Sequence, residues 1–317
     1  MENAKNNSAK FAFFYMLSLA SLVFMSLSAG MIIFQIINKN IVDVLNQFRG
    51  QYSPDQLKFA ISALIISAPI FYVAMSRIYK SLFSGELDKD SGVRKWLTYF
   101  ILLISSIVMI GWLIATINSF LDGELTTKFI LKSIAAIAIA ATIFTFYLYD
   151  IKREVEIGAK NKTISIYFYA SLMAVIVVFA ASLFFVESPT ETRNRKFDDM
   201  ILGKFGQIEN AVNEYYQENK KLPISLNELA EEFPYLTNED LADAATGKKF
   251  EYKPGESNFY ELCADFRTSN KGEENDAYNN LYKENWPHDV GYQCLKQKVR
   301  DMNTSKAIRE IAPVLMD

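Results

Sequence analysis

Apolar side chains are distributed along this chain in two unlike ways. Up to Val186 they come in long uncharged runs; beyond it they recur at helical or alternating spacing in a strongly charged background. The run Ile164–Val186 has 23 residues and no charge. At about 1.5 Å per residue it reaches roughly 35 Å as a helix, enough to cross a bilayer core with some tilt. Four earlier stretches share this character, at about Phe11–Ile37, Phe59–Tyr79, Trp96–Ile117 and Phe129–Tyr149. The pattern predicts a membrane all-α helical bundle of five transmembrane helices over 11–186, after a polar N-terminus at 1–10.

Local chemistry sharpens each element. Ser26–Gly30 offers small residues where a signal peptide could be cut, but the apolar run continues through MIIFQII, so a spanning helix is the reading adopted. Asn38–Ser53 reads as a polar loop in which Ile41, Leu45 and Phe48 would share one face of a short interfacial helix. Ser53-Pro54-Asp55-Gln56 is a helix start, with Ser as cap, Pro at the first position and Gln56 placed to complete a capping box. Pro69 is expected to bend the second span, as a packing feature. Lys132, one turn inside the fourth span, can snorkel, and Ser133, Ala136 and Ala140 would admit a close neighbour. No Asp, Glu, Arg or His occupies the middle of a span, whereas ion-coupled pathways use such groups. Gln35 and Lys132 are the polar exceptions. Asp150, Lys152 and Arg153 read as anchors at the membrane surface, with a small polar site as the alternative.

The polar half is patterned for an α+β domain. After a Pro-containing linker at 187–196, Ile201, Phe205, Ile208, Val212 and Tyr215/Tyr216 recur at helical spacing within Phe197–Asn219. Ser225 with Glu228 forms a capping box for a second, short helix, and Pro234 marks a stop. Thr237–Ala242 predicts one further turn. Asp243–Gly247 is a turn into a strand at Lys249–Lys253, joined by the hairpin connection 254–258 to a second strand at Phe259–Phe266. Val290–Leu295 supplies a third, giving a small antiparallel sheet within 197–298. The tail at 299–317 is weakly amphipathic.

Charge divides at the same boundary. Through Val186 there are 16 Lys and Arg against 11 Asp and Glu; from Glu187 onward the numbers are 17 and 25. The soluble half has no basic stripe, which argues against a nucleic-acid partner. With the N-terminus inside, the short inner segments hold eleven Lys and Arg and the outer ones five. That bias orients the chain N-inside, and five crossings then make the C-terminal domain extracytoplasmic. Both cysteines, Cys263 and Cys294, lie in that domain. A single disulfide in an oxidising compartment is expected; two reduced thiols are the other reading.

Two resemblances add to this. FQIINK (Phe34–Lys39), Trp96–Leu103, FLDGELTTKFILK (Phe120–Lys132) and YLYDIKRE (Tyr147–Glu154) resemble the four-helix bacterial membrane domain of domain-of-unknown-function family 5671, over roughly Phe11–Glu154. That implies an integral membrane protein, of bacterial origin, and no particular activity. Tyr215-Tyr216, Leu222–Leu229, Asp243–Tyr252 and Tyr260–Leu262 resemble the globular part of the type II secretion pseudopilins. This implies an α+β fold only, because five spans precede the domain where a pseudopilin has one, and the processing site is missing.

Candidate chemistry is sparse. His288 is the single histidine in the chain, which excludes zinc sites and triads built on several. With Asp289 it could form a polar site, or be a loop histidine bonded to backbone. Glu239, Asp240 and Asp243 could hold calcium, as some pseudopilin loops do, yet their spacing fits no EF-hand loop and a solvated helix start explains them equally. No phosphate loop, dinucleotide fingerprint or nucleophile elbow is present, and no cofactor is expected. The function expected is non-enzymatic: the lipid bilayer on one side, and a protein or envelope component bound by the external domain on the other. A transporter or channel with an uncharged pathway, and an ectodomain hydrolase centred on His288, are the alternatives.

Overall fold

The computed structural model describes residues 2–41, 51–87, 91–153, 161–256, 258–271 and 286–299. The interfacial positions Leu45 and Phe48, the loop 272–285 and the tail from 300 lie outside the described residues. The chain divides into two compact units, Met1–Val186 and Glu187–Asp317.

The first unit is helical: α1 (Glu2–Asn40), α2 (Pro54–Phe83), α3 (Gly92–Leu121), α4 (Thr127–Lys152) and α5 (Lys162–Leu183). All five are long and apolar enough to cross a membrane, and this is a multi-pass membrane protein. Three of the five starts, those of α2, α4 and α5, carry a side-chain cap. Ser53 with Pro54, Thr126 and Asn161 turn a side-chain oxygen onto the N–H three residues on. At the start of α2 the capping box is closed differently from expectation. The Ser53 N–H donates to Gln35 Oε1 (2.8 Å), and Gln35 Nε2 donates to Gln56 Oε1 (2.8 Å). Gln35 from α1 thus takes the position expected for Gln56, and its buried amide ties the two helices together.

In lipid there is no water to drive helices together, so close packing decides the contacts. Ile32 on α1 and Leu57, Ala60, Leu64 and Ile78 on α2 are all at most 2% exposed. α3 meets α4 through Thr116 Oγ1 and Ser133 Oγ, 3.1 Å apart. α5 ends at Leu183, three residues before the apolar run does. The Phe185 carbonyl turns out of the helix and accepts from Tyr52 Oη (2.9 Å) and Lys39 Nζ (3.4 Å).

The second unit holds α6 (Pro189–Asn219), α7 (Leu226–Glu232) and an antiparallel sheet in the order β1 (Glu251–Pro254), β2 (Phe259–Phe266), β3 (Gly291–Lys298). α6 begins eight residues before its apolar periodicity does. Ser188 accepts from the Glu191 N–H and Pro189 occupies the first turn, so most of the expected linker is helix. β2 alternates strictly: Tyr260, Leu262, Ala264 and Phe266 enter the core, while Cys263 faces the other way. Phe205 of α6 sits at the centre, edge-on to Phe250, Phe266 and Trp286 at 5.1–6.2 Å. Each such fully buried side chain contributes about 1.5–3 kcal/mol. Two glycines are sterically required here. Gly247 closes the Asp243 turn at φ +70°, and a Cβ on Gly255 would stand 2.8 Å from the Phe259 carbonyl oxygen.

Candidate functional site

Among the described residues of the membrane unit, the densest polar constellation gathers at one end of the bundle. Arg94 lies in the first turn of α3 and Asp150 in the last turn of α4, and the packing of the two helices brings them together. Arg94 Nη2 donates to Asp150 Oδ2 and to the Asp150 carbonyl, each at 2.9 Å. Arg153 Nε donates to Asp150 Oδ1 at 2.9 Å, and Tyr79 Oη to the same atom at 3.3 Å. The three charged side chains are only 5–10% exposed. Arg94 thereby also places a cation on the carbonyl end of α4, where the helix dipole favours it.

This corrects the reading of Asp150 and Arg153 as surface anchors. Asp150 is buried, Arg153 is largely covered and both are paired, whereas Lys152 is exposed as an anchor would be. Asp150 borders a cavity of about 10 Å³, with room for one water, together with Tyr15, Ser18, Thr98 and Tyr147. Among the described residues, the buried hydroxyls of Tyr15 and Tyr147 have no hydrogen-bond partner. The cluster can clamp α2, α3 and α4 to one another.

In the C-terminal unit Cys263 and Cys294 form a disulfide across the β2–β3 register pair, 31 residues apart in sequence with Cα atoms 4.0 Å apart. Two of the three candidate calcium ligands, Asp240 and Asp243, have their carboxylates committed to neighbouring groups. Asp240 accepts from the N–H (2.9 Å) and hydroxyl (2.6 Å) of Thr237, which hold its carboxyl below the usual range. Asp243 accepts from the Ala245 N–H, the Thr246 hydroxyl and Arg267. Burial pushes the Asp243 carboxyl up, but these bonds outweigh it and hold it low. At Glu239 it is the backbone carbonyl that is engaged, accepting from Lys204 Nζ. Arg267 itself reaches back to α6: its N–H and the N–H and hydroxyl of Thr268 all donate to the buried carboxylate of Asp198.

His288 and Asp289 are adjacent in sequence but point to different surroundings. His288 is 1% exposed, stacked on Phe266 with centroids 3.9 Å apart, and its Nδ1 lies 3.0 Å from the Trp286 carbonyl. Asp289 is exposed, paired with Lys271 Nζ at 2.5 Å and bonded to the Ser269 hydroxyl. Lys271 holds the Asp289 carboxyl low, whereas burial pushes the His288 imidazole below its ordinary value. The neutral ring is therefore the folded form at pH 7, and the unfolded chain binds the proton more readily. Stability of this unit is expected to fall as pH drops through the unfolded histidine value of about 6.5 toward the lower folded one. Thermal melts at pH 7.5 and 5.5 check this. The wild-type melting temperature should drop between them, and His288→Phe, which keeps the stack, should flatten the difference.

On the sheet face opposite the core lies a groove of about 300 Å³, lined by Lys248, Glu251, Cys263, Asp265, Arg267 and Tyr292. Tyr292 donates to Glu251, which raises the phenol to about 12 and lowers the carboxyl. Lys248 pairs with Asp265 at 2.5 Å and lies over the Tyr292 ring. The cystine forms part of its floor. The disulfide was legible from sequence; the groove was not, because its charges come from the Asp243 turn and the residues after it, from β1, and from β2 and its end, with Tyr292 added by β3.

Residues 12–147, which span α1 to most of α4, match the family model described as Domain of unknown function (DUF5671). No curated protein and no solved structure matches the chain.

Proposed function

Starting from a membrane segment that matches a family described only as of unknown function, we propose that the chain is a membrane-anchored binding protein. Its C-terminal domain is extracytoplasmic and takes a protein or envelope component. The observation that carries this reading is the groove on the outer sheet face. It sets charges of both signs and an amphipathic tyrosine around a cystine floor, a surface suited to a polar macromolecular partner. The excess of Lys and Arg in the inner loops and the cystine itself support the outward placement. A binding rather than catalytic role fits the ectodomain's titratable groups. Its one histidine is packed in the core, and Asp198, Asp240 and Asp243 bond to backbone N–H groups and neighbouring side chains.

One experiment tests both parts. A membrane-impermeant amine crosslinker applied to intact cells should join exposed Lys248 or Lys249 to a partner of defined mass. The double reversal Lys248→Glu, Asp265→Lys should keep the fold and lose that adduct. If Lys249 reacts only after the cells are broken, the outward placement is wrong. If it reacts in intact cells but yields no adduct at native expression, the binding role is wrong.

A further inference from the structure

A third cavity, in the membrane unit and separate from the Asp150 cluster, lies open on the side of the bundle. Between α2 and α5 runs a groove of about 540 Å³ whose walls include Leu64, Ala68, Tyr72, Leu172, Val175 and Phe179. Its walls are almost wholly hydrocarbon. The Tyr72 hydroxyl is used within the wall, donating to Ser171 Oγ at 3.1 Å. Such a groove offers an occupant dispersion contacts and hardly any hydrogen bonds, which suits an acyl chain.

One end is different. Ser76 and Arg77 line the groove there. α2 and α5 run antiparallel, as the proximity of Tyr52 to Phe185 at their other ends requires. Counting along the two helices from the Tyr72–Ser171 bond, Lys80 lies about 12 Å away and Lys162 about 13 Å away in the same direction, with Arg77 between. All three cations are exposed, and none makes an ion pair among the described residues. A hydrocarbon slot ending in unpaired positive charge matches one kind of molecule in a membrane.

We propose that the α2–α5 groove is a binding site for an anionic phospholipid, its acyl chain along Leu64–Tyr72 and Leu172–Phe179 and its phosphate at Arg77, Lys80 and Lys162. Basic pockets between membrane helices hold anionic headgroups in this way, each cation near the surface contributing about a five-fold preference.

The test uses the full-length protein in mixed phosphatidylglycerol and phosphatidylcholine nanodiscs, with retained lipid read by native mass spectrometry after release into detergent. Phosphatidylglycerol should be retained over phosphatidylcholine, and Arg77→Gln, Lys80→Gln and Lys162→Gln should each cut that preference by roughly five-fold. Val73 and Ile176 stand at the groove's lips, 60% and 48% exposed, so Val73→Trp with Ile176→Trp fills the slot without disturbing the core. That variant should stay monodisperse and lose the lipid. Equal retention of both lipids overturns the proposal, as does full retention in the filled variant. Displacement of the lipid by inorganic phosphate would reduce the site to an anion rim and overturn it too. So would a wild-type dimer that the filled variant converts to monomer, because the occupant would then be a second copy.

Discussion

Replacing Asp150 with alanine is expected to destabilise the membrane unit by about 3–5 kcal/mol, the cost of breaking a buried ion pair from one side. Arg94 would keep its bond to the residue 150 carbonyl but lose the carboxylate, while Arg153 would lose its partner outright. Two guanidiniums would remain in a region where their side chains are at most 10% exposed. The order of a mutant series is more diagnostic than any single value. Arg94→Met leaves Asp150 paired with Arg153 and should cost less than Asp150→Ala. Converting Arg94, Asp150 and Arg153 together to Met, Leu and Met should recover most of the loss, since apolar groups of similar volume often replace a buried ionic set at little cost. Thermal unfolding of the detergent-solubilised chain would resolve this order. An Asp150→Ala variant as stable as wild type would show that the three charges are solvated at the membrane surface.

The second large effect concerns the C-terminal unit. Removing the Cys263–Cys294 bond, by Cys263→Ser with Cys294→Ser or by reduction, is expected to cost roughly 3–4 kcal/mol. A closure spanning 31 residues restricts the unfolded chain by about that amount in the loop-entropy description. The bond also ties the two strands that carry most of the core-facing sheet residues, so its loss should loosen β3 first. Melting the full chain with and without reductant would show the C-terminal transition moving to lower temperature while the membrane unit keeps its own. If reductant left both transitions in place, the bond would be stabilising neither.

Much of the architecture could be read from the order of residues, for identifiable reasons. Five apolar runs are unambiguous because lipid imposes a length and forbids charge along it. β2 was legible to the residue because Phe259–Phe266 alternates between a core and an outer face. The start of α6 was missed although Ser188-Pro189 with Glu191 has the same character as Ser53-Pro54-Asp55-Gln56. In the first two turns every side chain after Pro189 is polar, so periodicity is silent and only the cap speaks. The ionic cluster was missed for a different reason. Arg94 and Asp150 are 56 residues apart, and whether a charge at a helix end turns outward to headgroups or inward to a neighbour depends on how α3 and α4 rotate against each other. A clue was present: a lone acid at one helix end and a lone arginine at the start of another are the components from which a buried pair is made. Gln35 stands out as polar in an apolar run, but its partners at the start of the next helix are set only once the turn closes in three dimensions.

Asp198 has a mechanical consequence. The domain is tethered through Glu187, at the head of a helix about 46 Å long. Tension on that tether would travel along α6 and meet, three turns in, a carboxylate gripping the backbone of Arg267 and Thr268 at the end of β2. The load would enter the sheet at the end of β2, shared among those hydrogen bonds, and the strand receiving it is the one already stitched to its neighbour by sulfur.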